Sequence, residues 1–414
     1  MAMERDIYTG CYGAEAKASE ITNWVLRHVK KNIERQANGQ PRATLSIMGA
    51  PGLGKTSIVK ALEKVTVPFG DKEEFVKVVD VPLAQIEEMG DILGFPVEEI
   101  EMKAADGTCH WVKAVDAIIR NGIEKGESLT GGKRTTYAPP SWAPTEECPG
   151  VILFDDGNRA SQRIMRGIMQ LVQDYKTIAW AIPKGWTIVF TGNPDNRYNQ
   201  VTSMDTAQLT RMKFITMKVD AKEWAVWAED HGVDKRGISF VLRYPEMMIG
   251  KERTNPRSLT EFFYSLKDFD NLMDAGQYRE MLVEARASLD DETVETLCTF
   301  LTRDIELVIE PEDILADADK AIEKVKGLMV GDNPRVDIVS VTMDRLIAYF
   351  MSEGYVYKDA HFAPFEKWLL CDAIPADIRY GAMDILHKSK WKYAAKFLKG
   401  KELLKMVLDL QSKR

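Results

Sequence analysis

The sequence predicts an α/β fold, a parallel sheet flanked by helices, followed by an all-helical region. Three observations predict it. The short apolar run Thr44–Met48 passes through a glycine-rich loop into a helix-like segment, a strand–loop–helix unit. The continuous apolar run Val151-Ile152-Leu153-Phe154 suits a strand buried on both faces. Strand-like and helix-like segments alternate up to about Ala221, and only helical periodicity is read beyond it.

Element by element, Ile21, Val25, Leu26, Val29 and Ile33 place a helix over 14–37, broken by Gly39, Gln40 and Pro41. Thr56–Val65 reads as the helix after the loop, and Phe75–Val81 as a second strand. Residues 83–125 read as interrupted helix. Residues 126–150 read as loop, on Gly131-Gly132, Pro139-Pro140, Pro144 and Pro149. Ser161–Gln173 reads as helix, Thr187–Thr191 and Lys213–Val219 as strands. Helices are expected at 222–231, 256–267, 277–289, 292–308 and 313–327, a break at Gly331–Pro334, and mostly helix over 336–414.

Hydrophobic residues make up 45% and charged residues 29%, the balance of an ordinary globular protein. The net charge of −8 argues against a chain that binds polyanions as a whole. Five scattered cysteines, Cys11, Cys109, Cys148, Cys298 and Cys371, fit neither a disulfide framework nor a zinc site and point to a reducing cytoplasm. The histidines show no metal-ligand spacing. Met1–Tyr12 lacks the apolar run of a signal peptide, and no apolar stretch is long enough to span a membrane.

The chemistry concentrates in Gly49-Ala50-Pro51-Gly52-Leu53-Gly54-Lys55-Thr56, a match to G-x-x-x-x-G-K-[ST]. Glycines let the backbone curl so that its N–H groups face phosphates, with Ser57 continuing the cradle into the helix. Lys55 supplies a point charge for the outer phosphates and Thr56 a hydroxyl for magnesium. A nucleoside triphosphate is the ligand this loop predicts, ATP with Mg2+ first; GTP is not excluded by these residues. Asp155, at the tip of the apolar run, is placed to hold the magnesium, and Asp156 to orient the attacking water.

With these residues in view, the chain resembles an AAA+ ATPase of the MoxR and dynein-related branch. The segments that carry the resemblance are Gly49–Thr56; Met89-Gly90-Asp91-Ile92-Leu93-Gly94; Phe154-Asp155-Asp156-Gly157-Asn158-Arg159-Ala160; Thr191-Gly192-Asn193-Pro194; Ala207-Gln208-Leu209-Thr210-Arg211; and Asn255-Pro256-Arg257-Ser258. They stand in the family order over residues 43–270. The resemblance implies an AAA+ core over 1–220, a helical lid over 221–330 and a helical extension with a basic tail over 331–414. It implies Asn193 as sensor 1, Arg211 as an arginine finger reaching a neighbouring subunit, and Arg257 as sensor 2 reporting to the lid. It implies a ring, hexameric in the family, that remodels or assembles a partner protein, commonly one with a von Willebrand A-type domain.

Two residues depart from the family pattern. Asp156 stands where the family has Glu, which sets its carboxylate about 1.5 Å back, a distance to which catalytic geometry is sensitive. Gly157 replaces an apolar residue and is expected to loosen the strand exit. Ile178–Trp186 resembles the hairpin this branch inserts before the sensor 1 strand. Lys133, Arg134, Tyr137 and Trp142 lie in the segment read as a loop, as substrate contacts or plain surface. His387–Arg414 holds nine Lys/Arg against two acidic residues, interleaved with Trp391, Tyr393 and Phe397. That tail suits nucleic acid or an acidic partner, or equally a packed helix with a lysine face. Three readings stand: a hydrolysing ring motor, a nucleotide-gated scaffold with weak hydrolysis, and a nucleic-acid motor or loader through residues 388–414, which is not favoured.

Overall fold

Six parallel strands order the first half of the chain. In the computed structural model, which describes residues 13–194, 201–202, 204, 206–331, 333–389, 391–398, 400, 403 and 405, the chain forms two compact units, Met1–Lys218 and Val219–Arg414. The first unit runs β1 (Ala14–Ala16), α1 (Ala18–Ala37), β2 (Thr44–Met48), α2 (Lys55–Lys60), β3 (Thr66–Phe69), β4 (Lys72–Phe75), β5 (Lys77–Pro82), α3 (Gly90–Leu93), β6 (Phe95–Lys103), β7 (Cys109–Lys113), α4 (Asp116–Glu124), β8 (Ser128–Ala138), β9 (Gly150–Asp155), α5 (Gln162–Asp174), β10 (Trp186–Gly192), α6 (Thr206–Arg211) and β11 (Met212–Met217). The main sheet has the order β1-β11-β2-β10-β9-β5, and all five neighbouring pairs are parallel. The predicted class, a parallel α/β sheet flanked by helices with a helical region after it, is what the chain adopts.

Alternation along the strands explains both layers. In β9, Val151 and Leu153 join α1 and α2 side chains such as Val25, Val29 and Val59. Ile152 and Phe154 join Ile164, Ile168 and Leu171 of α5 on the opposite face. Helix α5 starts where the Ser161 side chain accepts from the Ile164 N–H and stops at Tyr175, whose φ is 57°. Its five buried apolar residues are each worth roughly 1.5–3 kcal/mol as an upper estimate.

Several expectations are corrected. Residues 14–16 are an edge strand on β11, so the first helix begins at Ala18. Phe75 ends a small hairpin, β3–β4, and the second core strand starts at Lys77. Most of 83–125 is not helix, and 126–150 is not simply loop. Together they hold an antiparallel three-stranded sheet, β7-β6-β8. Its strands are rich in charged residues, and only Ile100 and Met102 of β6 are buried. Lys133, Arg134 and Tyr137 therefore lie on a strand. Residues 178–186 form no hairpin strands; one bridge joins Lys176 to Ala181, and Thr177 closes the turn.

The second unit contains α7 (Ala221–Asp230), α8 (Lys235–Arg243), α9 (Pro256–Ser265), α10 (Ala275–Ser288), α11 (Asp291–Thr299), α12 (Pro311–Ala316), α13 (Ala318–Leu328), α14 (Val336–Met351), α15 (Phe362–Leu369), α16 (Ala376–Lys388) and α17 (Ala394–Phe397). Helix α8 had no expectation; Asp234 caps it, and Gly237 admits the Phe263 ring. The segments read as single helices over 292–308 and 313–327 are each divided, by a π-helical turn at Phe300–Asp304 and by Asp317. Helix α14 serves two apolar clusters, giving Ile338 and Val341 to one and Val339, Leu346 and Phe350 to the other. Phe397 is buried, and Trp391 and Tyr393 pack against the second cluster, so these tail aromatics serve packing. The rest of the basic tail, with Lys390, Lys399, Lys401 and residues 406–414, lies outside the described residues. Among the described residues, no helix is long and apolar enough to cross a membrane.

Candidate functional site

The glycine loop leaves the C-terminal end of β2, in the middle of the sheet, and enters α2. Gly52 and Gly54 have φ of 78° and 87°, a region side chains avoid, and these turns curl the loop. The Gly49 N–H donates to the Gly192 carbonyl at 3.1 Å, which ties the loop to the end of β10. Leu53 packs into the core below, while Ala50 and Ser57 are exposed. Lys55 is buried; its ammonium donates to the carbonyls of Gly49 (2.8 Å) and Ala50 (2.9 Å) and to Asn193 Oδ1 (3.1 Å).

Asp155 ends β9 one strand away from β2, with β10 between them. Its Oδ1 accepts from two hydroxyls, Thr56 Oγ1 at 2.8 Å and Thr191 Oγ1 at 2.5 Å. The Thr191 oxygen also accepts from the Asp156 N–H at 3.0 Å. Asp156 itself is left-handed, with φ 49° and ψ 40°, strain for a residue with a Cβ. Asn193 Nδ2 donates to Asp156 Oδ1 at 3.0 Å, and Arg159 Nε stands 4.0 Å from Asp156 Oδ2. Asn193 is fixed in turn by Asn158: the Asn158 amide donates to the Asn193 carbonyl (2.6 Å), and the Asn193 N–H donates to Asn158 Oδ1 (3.0 Å).

The structure thus gathers Gly49–Thr56, Asp155, Asp156 and Asn193. Thr191 and Asn158 belong to the same network, and the sequence reading gave them no role. Both were visible in the motif segments quoted above; what was missing was the pairing of β9 with β10 that sets Thr191 over Asp155. Gly157 does not loosen the strand exit. It is buried, and a Cβ there would lie 2.6 Å from the Phe190 ring, so the glycine lets the turn sit flat on β10. The donor set fits a hard divalent cation: a threonine hydroxyl and a carboxylate, all oxygen, suit magnesium.

Arg211 is elsewhere. It precedes β11, whose Met212 pairs with Thr44 at the start of β2, so it stands at the opposite end of the sheet from the loop. At about 3.3 Å per residue, the length of β2 separates them by roughly 15 Å along the strand. Its Nε donates to Gln173 Oε1 (2.6 Å) and its Nη1 to the Ala207 carbonyl (2.7 Å). Arg257 lies in the second unit, exposed in the first turn of α9, where its N–H donates to the capping Asn255 Oδ1 at 2.9 Å.

No family model matches the chain, and no curated protein matches it. Among solved structures it is similar to RuvB of Thermotoga maritima. One mutant form shares 15% identity over 76% of this chain and 82% of that one, with a TM-score of 0.33. Another shares 14% over 84% and 97%, also at 0.33. The form described as a Holliday junction branch migration motor shares 14% over 75% of each chain, at 0.32. Superpositions this loose leave the strand order and the loop to speak for the fold.

Proposed function

We propose that this chain is an ATPase of the AAA+ type, close to the MoxR branch, that binds ATP with Mg2+ and works as a hexameric ring on a partner protein. The observation that carries the reading is the convergence of Thr56 and Thr191 on Asp155, with Asn193 joining Lys55 to Asp156. Loop N–H groups and Lys55 hold the phosphates, and Thr56 and Asp155 hold the cation. Mg2+ neutralises phosphate charge when bound. Asp156, steadied by Asn193, orients the water and takes its proton. Arg211 supports the ring: from the far end of the sheet it serves a neighbour's site, not its own. Arg257 is proposed as sensor 2, 221–330 as the lid and 331–414 as the extension. Free Cys109, Cys148, Cys298 and Cys371 suit a reducing cytoplasm. A partner with a von Willebrand A-type domain follows from the resemblance alone.

Phosphate release by wild type, Lys55→Ala and Asp156→Glu tests the reading. Turnover in the wild type that is lost in Lys55→Ala upholds it. ATP binding without turnover above that background, with a gain in Asp156→Glu, moves the protein to the nucleotide-gated scaffold. The short Asp156 side chain, committed to Asn193, is the observation that keeps this second reading open. Light scattering with and without ATP tests the ring, and a strict monomer in saturating ATP removes the role given to Arg211.

A further inference from the structure

Asp156 and Gly157, the two residues that depart from the family pattern, are neighbours, and the structure binds them into one turn. Both backbone groups of Asp156 are committed. Its N–H donates to Thr191 Oγ1 at 3.0 Å, and its carbonyl accepts from the Arg159 N–H at 2.8 Å. Thr191 belongs to β10 and Arg159 to the short turn Gly157–Arg159. Held at both ends, the left-handed backbone of Asp156 (φ 49°, ψ 40°) cannot relax to an ordinary conformation. Gly157 sets the same turn from below. A Cβ there would stand 2.6 Å from the Phe190 ring and 3.5 Å from the Thr191 carbonyl. A larger residue lifts the turn off β10, and the Asp156 N–H with it.

A left-handed backbone selects among acids. It crowds Cβ against a carbonyl oxygen, and aspartate and asparagine, whose short polar side chains bond locally, are enriched there several-fold. Glutamate has no such allowance. The aspartate also reaches the site. Its Oδ1 accepts from Asn193 Nδ2 at 3.0 Å, and Oδ1 of that same amide accepts from Lys55 Nζ at 3.1 Å. One amide therefore separates the carboxylate from the loop lysine. The direction of the backbone, rather than the number of methylenes, sets this reach.

We propose that Asp156 is fitted to a left-handed turn in which Gly157 and Thr191 are positioning residues, so that aspartate is the working acid here and glutamate is the misplaced one. The proposal rests on the ATPase reading above and corrects the expectation that the shorter side chain slows turnover.

The test compares steady-state phosphate release, ATP affinity and thermal melting of the full chain and its variants. Asp156→Glu should lower kcat about 10²-fold, the cost of an ångström-scale misplacement. Its ATP affinity should change less than about twofold, because the phosphates rest on the loop. It should melt about 2–4 °C lower, whereas Asp156→Asn, which keeps the left-handed tolerance and the Oδ1 acceptor but loses the charge, should melt within about 1 °C of wild type. Gly157→Ala should also lower kcat. In its background Asp156→Glu should add less than about half of its own loss on a logarithmic scale, because both act through one turn. Turnover in Asp156→Glu equal to or above wild type overturns the fit. So does Asp156→Asn melting as low as Asp156→Glu, a loss confined to ATP affinity, or fully additive losses in the double variant. Should Gly157→Ala not fold, the glutamate and asparagine variants decide the matter alone. A wild type without turnover above Lys55→Ala sinks the ATPase reading instead, while the melting order still reports whether the turn selects aspartate.

Discussion

Two clusters of positive charge, one in each unit, are held in opposite ways. In the α/β unit, Arg42 is answered by three carbonyls and an aromatic face. In the helical unit, Arg345, fully buried, meets Glu229 and, at 3.0 Å, Glu310. Arg335 meets Asp304 and Asp337, each at 3.0 Å, and Arg243 meets Asp337 at 2.9 Å. Neutral acceptors satisfy a cation's hydrogen bonds but leave its field intact, so the charge stays available to an anion. Carboxylates cancel the field and tie helices together. The first arrangement leaves a cation able to meet an anion; the second is a joint.

On that contrast, removing Arg211 from the first unit costs activity, and removing Arg345 from the second costs stability. The largest effect is expected from Arg211→Ala, a fall in ATP turnover of about 10³–10⁵-fold with melting unchanged. Activity within tenfold of wild type would break the contrast at its strongest point. Next, Arg345→Met should lower unfolding stability by about 3–5 kcal/mol in urea titration, because Glu229 and Glu310 are left facing a buried void of charge. Adding Glu229→Gln to it should restore part of that loss; no restoration would mean the helices are joined by packing alone. Smaller again, Thr191→Val should cost roughly 1–3 kcal/mol of stability by orphaning the Asp156 N–H. Its turnover should fall as well, since Asp155 loses one of its two hydroxyls.

The smallest effect is one of pH. Burial raises the carboxyl of Asp344 above its usual range, with Lys222 pulling the other way. A raised acid binds its proton more readily when folded, so its contribution favours the folded state below the unfolded value and is lost as pH rises through the folded one. Asp344→Asn should therefore melt higher than wild type near neutral pH, the gap closing as pH falls through the ordinary carboxylate range. A gap that is constant across that range, measured by thermal melts, would mean the carboxylate is not penalised by its site.

How much of this was readable beforehand depended on distance along the chain. The glycine loop is eight consecutive residues whose spacing is its chemistry, so Lys55 and Thr56 could be placed directly. Asp155 was placed because an apolar run ends on it. Thr191 could not be placed in the same way, because its partner lies 36 residues away and the two meet only once β9 and β10 pair. The antiparallel sheet over 95–138 was misread because β6, Phe-Pro-Val-Glu-Glu-Ile-Glu-Met-Lys, buries only two of its side chains and looks as polar as a helix surface. Gly157 was misread as looseness because the Phe190 ring that requires it is on another strand.

The place where that sheet joins the core has a consequence for how the chain can vary. Phe95 pairs with Ala138, and Gly94 approaches the Ala138 carbonyl so closely that a Cβ there would lie 2.2 Å from it. Nearby, the indoles of Trp142 and Trp180 donate to the carbonyls of Asp91 and Ile92. The chain thus leaves and re-enters the main sheet through a single doorway braced by two tryptophans. What hangs outside can grow, shrink or be exchanged at small entropic cost, since closing a loop twice as long costs only about 0.6 kcal/mol more. The length of that sheet can change without moving the glycine loop or Asp155, which lie on the main sheet.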